Sequence, residues 1–183
     1  MIIFNYGKKE PESDINGKKE STDTAVTNSA ETEIPENKKI TVIGVGDIML
    51  GSNYPSKNLL PKNDYNILTD TEKILQDADI TVGNLEGTLF DEGGTPKSCS
   101  DPSLCFVFRT PSKYGQYLKE AGFDYLSIAN NHSNDFGDEG ISKTMKNLDE
   151  LGIKYTGIKK LAKTTIIEKD NLKYGFVSFA PPF

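Results

Sequence analysis

The chain has 183 residues, of which 36% are apolar and 26% charged, enough for one ordinary globular core and too few for two full domains. With 21 Lys and Arg against 27 Asp and Glu, the formal charge is -6, so no diffuse basic field is available to condense on a phosphate backbone, which argues against nucleic acid as a partner. No apolar run approaches the roughly 18 residues that a membrane-spanning helix needs, and a single His with 2 Cys falls short of a structural zinc domain.

Residues 1–6 are apolar but shorter than a secretory h-region of about 7 to 15 residues, and they lack a basic n-region. They read either as the stump of a longer leader, through which the chain would be anchored to a membrane, or as an arbitrary start. From Gly7 to Lys39 only Ile15, Ala25, Val26, Ala30 and Ile34 are apolar, and no aromatic occurs. Such a stretch buries too little apolar surface to offset its chain entropy. Residues 1–39 therefore read as a disordered tether or leader remnant, and 40–183 as the folded domain.

From Ile40 onward short β-rich runs alternate with helical periodicity, the pattern of an α/β domain with a largely parallel sheet. Residues 40–45 predict a first, buried strand, 79–82 a second and 125–129 a third. Thr69 and Glu72 have the spacing of a capping box, opening a helix with Ile74, Leu75 and Ala78 on one face. Thr110 predicts the cap of a second helix, with Pro111 at its first position, Tyr114, Tyr117, Leu118 and Ala121 at helical spacing, and Gly122 as its stop. A third helix over 139–151 carries Ile141, Met145, Leu148 and Leu151 and ends at Gly152. Residues 153–158 predict a short strand, and 164–168 with 172–179 a hairpin around Lys169, Asp170 and Asn171. The sequence stops directly after that strand, where a sheet of this kind normally continues, so it reads as the N-terminal part of a larger domain.

In open α/β sheets ligands collect beyond the carboxyl ends of the strands. The first strand runs into Gly46, Asp47 and Met49, the second into Gly83, Asn84, Glu86 and Gly87, and the third into Asn130, Asn131, His132, Asn134 and Asp135. Carboxylates, carboxamide oxygens and one imidazole are a donor set for a divalent cation such as Mn, Fe or Zn. Singly, each has a plainer reading: Asp47 as a turn residue, Glu86 as a solvated carboxylate, the Asn residues as turn formers and His132 as a structural side chain. The argument lies in three strand ends carrying compatible groups at once. A dinucleotide fingerprint fails, since its third glycine would fall on Met49, and there is no phosphate-binding G-x-x-x-x-G-K-[ST].

Those stretches, Gly46 to Leu50, Gly83 to Gly87, and Ala129 to Gly137 followed by Gly140, Ile141 and Thr144, resemble the CapA-type capsule-synthesis proteins. That family is associated with poly-γ-glutamate capsule production and is related in fold to calcineurin-like metallophosphoesterases. The resemblance implies a metallophosphoesterase-like layered sandwich of sheet and helices. It also implies a divalent metal on Asp47, Glu86 and Asn131, with His132 assisting a leaving oxygen. The implied partner is an anionic capsule polymer or its precursor, at the cell envelope. Where metallophosphoesterases have Asp-x-His, Met49 takes the histidine place; their Gly-Asp-x-x-Asp appears as Gly83, Asn84, Leu85, Glu86, and no His follows His132. A complete two-metal site is therefore not assembled from these residues, and a non-catalytic polymer-binding or assembly factor stands beside the hydrolase reading.

Asn84 and Asn130, beside the expected ligands, are candidates for holding substrate. Arg109, just before the second helix, is a third: guanidinium pairs bidentately with carboxylate or phosphate, although such an arginine also serves as a scaffold ion-pair partner. Cys99 and Cys105 close a short ring that a disulfide would stabilise by about 2 kcal/mol. An oxidised staple in an extracytoplasmic protein is one reading, and two unlinked thiols in a cytosolic chain the other.

Overall fold

The computed structural model of the chain describes residues 2–5, 39–101 and 104–181. Its centre is a parallel sheet in the order β2 (Val42–Ile48), β3 (Ile80–Leu85), β6 (Tyr125–Ser127), β7 (Lys154–Thr156). A second, antiparallel sheet has the order β1 (Ile2–Asn5), β9 (Leu172–Val177), β8 (Thr165–Lys169), and a two-stranded parallel ribbon joins β4 (Thr88–Leu89) to β5 (Arg109–Thr110). The helices are α1 (Glu72–Leu75), α2 (Gly115–Glu120) and α3 (Gly137–Leu151). This is the mixed α/β architecture with a parallel sheet expected from the alternation of elements. Residues 6–38 lie outside the described residues, and the tether reading with them; Ile2–Asn5 pair antiparallel along β9.

The two faces of the central sheet are both covered, which is why β3 is buried along nearly its whole length, Thr81 included. On one side Leu85, Phe123, Leu126 and Ile128 pack with Leu118 of α2 and Leu148 of α3. On the other, Ile80, Val82 and Tyr125 meet Tyr174 and Phe176 of β9, with Tyr125 stacked on Phe176 at 4.7 Å between centroids. Tyr125 also buries its hydroxyl, which is 2.6 Å from Thr156 Oγ1. Full burial of aromatic side chains of this size is worth about 2 to 3 kcal/mol each, so this second interface is a main reason the two sheets stay together.

The first strand departs from expectation. It is the edge of the central sheet, and Val42 and Val45 are 39% and 38% exposed rather than buried. It also runs on to Ile48, so Asp47 lies within the strand and not in the loop after it.

The helix starts are corrected as well. Thr69 and Thr71 turn their hydroxyls back to Asn66 O and Leu68 O, and Glu72 accepts from Asn66 Nδ2 at 2.9 Å, so no capping box forms. That helix has only 4 residues, and Ile74 is 65% exposed while Leu75 is buried. Thr110 donates to Gly51 O at 2.8 Å, and the backbone N–H of Ser112 is satisfied by Asp91 Oδ1 at 3.0 Å, a partner 21 residues away that local pattern cannot reveal. In α3 the buried positions are Gly140, Thr144 and Leu148, because Gly140 lets the helix approach Phe90 and Thr88, and Thr144 Oγ1 accepts from Leu89 N at 2.9 Å. Gly152 ends that helix with φ 68°, as its position predicts. The hairpin turn is Asp170 and Asn171, both at positive φ, the geometry of a two-residue primed turn.

Near α2, Asp64 takes the Lys113 ammonium at 2.6 Å and the Tyr114 hydroxyl at 2.7 Å. These partners, Lys113 first, hold its carboxyl below the ordinary value, while burial together with Asp64 pushes the Tyr114 hydroxyl up to about 12. A lowered carboxylate contributes stability that is present above its unfolded pKa and fades as pH falls through the folded one. Asp64→Asn is therefore expected to lower the urea midpoint at neutral pH, with the deficit shrinking once pH drops below about 4; midpoints measured across that range check it.

Candidate functional site

The register of the central sheet builds the rim. An irregularity between Gly44 and Asp47 shifts β2 so that Asp47 stands directly opposite Asn84, which in turn stands opposite Ser127 of β6. Glu86 follows β3 by one residue, and Asn130 and His132 follow β6. Gly87 then turns the chain away at φ 117°, where a Cβ would lie 2.9 Å from Phe108 Cβ; a side chain there would be strained and would push into Phe108.

Asn84 is the junction. Its Nδ2 donates to Asp47 Oδ1 at 2.8 Å and to Glu86 Oε2 at 2.7 Å, while its Oδ1 accepts from Asn130 Nδ2 at 3.0 Å. Ionised carboxylates only accept, so the amide nitrogen must face them and the carbonyl must face Asn130. Asn130 also donates to Leu85 O at 2.8 Å and accepts from the His132 backbone N–H at 3.0 Å.

His132 is fixed from behind. Its Nδ1 donates to Asp135 Oδ2 at 2.9 Å, and Asp135 is fully buried. That bond places the proton on Nδ1 and turns Nε2 to the rim, 3.9 Å from Glu86 Oε1, longer than a hydrogen bond. The ring is 4.4 Å from that of Phe108 between centroids. The Glu86 and His132 side chains are 11% and 12% exposed, so both groups work in a partly desolvated pocket.

Among the expected site residues, Asp47, Asn84, Glu86, Asn130 and His132 thus share one end of one sheet. Asn131 is exposed beside them. Arg109 is engaged elsewhere, donating through Nε to Asn53 Oδ1 at 2.7 Å and through a terminal nitrogen to Gly93 O at 3.1 Å. Its guanidinium carbon lies 4.8 Å from the Phe136 ring centroid and 5.5 Å from that of Phe90, so the cation serves the scaffold by packing on aromatic faces. The sequence reading placed Asp135 at the third strand end without giving it a role, although its i,i+3 spacing from His132 was a signal; Lys97, 2.6 Å from Asp135 Oδ1, escaped it and had none. Cys99 and Cys105 are joined, with their Cα atoms 5.5 Å apart, as the staple reading expected.

Two carboxylates converging on one nitrogen, ringed by carboxamides, offer the hard oxygen donors that fit a divalent cation. Among the described residues no three His, Cys, Asp or Glu side chains are gathered around one point, so carboxamides and water would have to complete the shell.

The family described as bacterial capsule synthesis protein PGA_cap matches residues 41–181, and the chain belongs to this CapA-type capsule-synthesis family. Among curated relatives, the capsule biosynthesis protein CapA of Bacillus anthracis is 30% identical over 122 residues, 67% of this chain and 29% of that protein. The PGA biosynthesis protein CapA of Bacillus subtilis is 30% identical over 117 residues, 61% of this chain and 30% of that protein. The protein y4sH of Sinorhizobium fredii is 31% identical over 136 residues, 73% of this chain and 27% of that protein. The chain spans less than a third of the length of these relatives.

Proposed function

We propose that this chain carries a metal-dependent, hydrolase-like site on a metallophosphoesterase-like fold and acts on a phosphoryl or acyl bond during biosynthesis of an anionic, poly-γ-glutamate-type capsule. The observation that supports it best is the convergence of Asp47, Asn84, Glu86, Asn130 and His132 at the carboxyl rim of the parallel sheet. Asp47 and Glu86 would hold the cation, Mn, Fe or Zn, through the oxygens now turned to Asn84, with the exposed Asn131 as a further oxygen donor. When bound, the cation supplies Lewis acidity toward the scissile group and a lowered pKa for its water. Asp135 accepts the His132 Nδ1–H, and in the imidazolium form Nε2 carries a second proton that it would pass to the leaving oxygen, leaving the neutral Nδ1–H ring. Asn84 and Asn130 present amide groups that orient substrate oxygens. The family and the disulfide together support an extracytoplasmic, envelope-associated location.

Metal analysis and phosphodiester and amide hydrolysis assays test this reading. Asp47→Ala, with an unchanged circular dichroism spectrum, is expected to lose Mn2+ binding and at least about 100-fold in turnover, and unchanged turnover removes the assignment. The second reading, a polymer-binding factor without catalysis, is favoured by the absence of a three-ligand cluster of His, Cys, Asp or Glu among the described residues. Calorimetry showing polyglutamate binding without metal would select it.

A further inference from the structure

Lys97 meets the site from outside every motif. Its ammonium is 2.6 Å from Asp135 Oδ1 and 3.4 Å from His132 Nδ1, and its backbone N–H donates to Asp135 O at 2.8 Å. The buried Oδ1 that it faces has no hydrogen bond of good geometry, so the Lys97 charge is what compensates that oxygen. The other oxygen, Oδ2, accepts from His132 Nδ1 and, at 2.7 Å, from the Phe108 backbone N–H.

Lys97 and Phe108 flank the Cys99–Cys105 crosslink, so both arms of the closed ring end on one carboxylate and, through it, on His132. Cys105 Sγ lies 3.9 Å from Lys97 O, a contact and not a hydrogen bond because a disulfide sulfur has no proton to give. Cys105 also packs against the cluster of Phe90, Val107 and Phe136.

We propose that Lys97 is a positioning residue that holds His132 through Asp135, and that the Cys99–Cys105 crosslink keeps Lys97 in place, so that the rim is completed only in the oxidised chain. As regulation of the site, this rests on the proposed function; as geometry, it stands without it. Reduction by a dithiol passes two electrons and two protons to the S–S bond, giving two thiols and the cyclic disulfide of the reductant. The ring then regains the chain freedom that the crosslink had removed. The Lys97 side chain is already 29% exposed, and its withdrawal into water leaves the Asp135 carboxylate buried and uncompensated. Turning that carboxylate toward water relieves the charge and releases both His132 Nδ1 and the Phe108 N–H.

The test combines hydrogen exchange at the Phe108 amide with turnover and Mn2+ calorimetry on the whole chain. Reduction with dithiothreitol, the Cys99→Ser/Cys105→Ser double variant and Lys97→Met are each expected to speed Phe108 exchange about tenfold or more, while amides of β3 and β6 keep their protection. Lys97→Arg, which retains the charge, is expected to restore most of the protection. Turnover, which needs His132 in place, should fall about tenfold in step, while Mn2+ affinity, which rests on Asp47, Glu86 and Asn131, should change less than about threefold. Phe108 exchange that ignores reduction, that responds to reduction but not to Lys97→Met, or that accelerates equally with the central strands overturns the proposal. If Phe108 follows the oxidation state while no form binds Mn2+, the clamp stands and the metal reading of the site fails.

Discussion

Asp135→Ala is expected to lower the thermal midpoint by about 10 °C, the counterpart of about 3 to 4 kcal/mol in a chain of this size. The carboxylate is fully buried and serves three partners at once: the Lys97 ammonium, the His132 ring N–H and the Phe108 backbone N–H. Alanine leaves all three donors facing a small cavity. Water can reach Lys97, which is partly exposed, but the other two groups are less accessible, and unsatisfied donors of this kind cost about 1 to 3 kcal/mol each. Asp135→Asn is expected to recover less than half of the loss, because its carbonyl can serve one or two donors while its NH2 faces the third. In Lys97→Met/Asp135→Ala the losses should not add, since removing the carboxylate also removes the reason for the ammonium to be there. Urea or thermal denaturation measures these differences, and an Asp135→Ala chain within about 1 kcal/mol of wild type would show that the buried network does not hold the rim.

The sequence made the rim legible because strand ends announce themselves: the short β-rich runs 79–82 and 125–129 lead into Asn84 and Asn130, and topology then fixes where those termini lie. The hairpin turn at Asp170 and Asn171 was equally readable, since two residues at positive φ need the side chains that tolerate it. Hidden from it was whatever depends on partners far apart in the chain. The ribbon of β4 with β5 is too short for periodicity to register, the cap of Ser112 comes from Asp91, and the exposure of Val42 and Val45 follows from their edge position, which no local pattern encodes. Arg109 shows the same limit: its neighbours in sequence suggested an anion, and its neighbours in space are aromatic rings. Lys97 was invisible because one lysine among many carries no signal until a buried carboxylate is found beside it.

Asn84→Asp is expected to make stability depend on a divalent cation more strongly than in the wild-type chain. In the native rim the Asn84 amide nitrogen stands between two acceptors, Asp47 Oδ1 and Glu86 Oε2, and its two hydrogens satisfy both without adding charge. The substitution replaces that donor by a third negative charge within hydrogen-bond distance of the first two. In chelator-treated buffer the lost hydrogen bonds and the repulsion should cost about 1 to 2 kcal/mol, with solvent screening at the exposed Asp47 side limiting the penalty. A divalent cation reverses the sign, because three carboxylates converging on one point form a stronger oxygen site than two. Binding to the folded state alone adds about 2.7 kcal/mol at a concentration 100 times the dissociation constant, so the thermal midpoint should climb with Mn2+ and pass that of the wild-type chain. Thermal unfolding of both chains across a Mn2+ series decides it. Equal shifts in the two chains, or none in either, would mean that no cation is held between Asp47 and Glu86, and the rim would then be read as a surface that binds polymer through its amides.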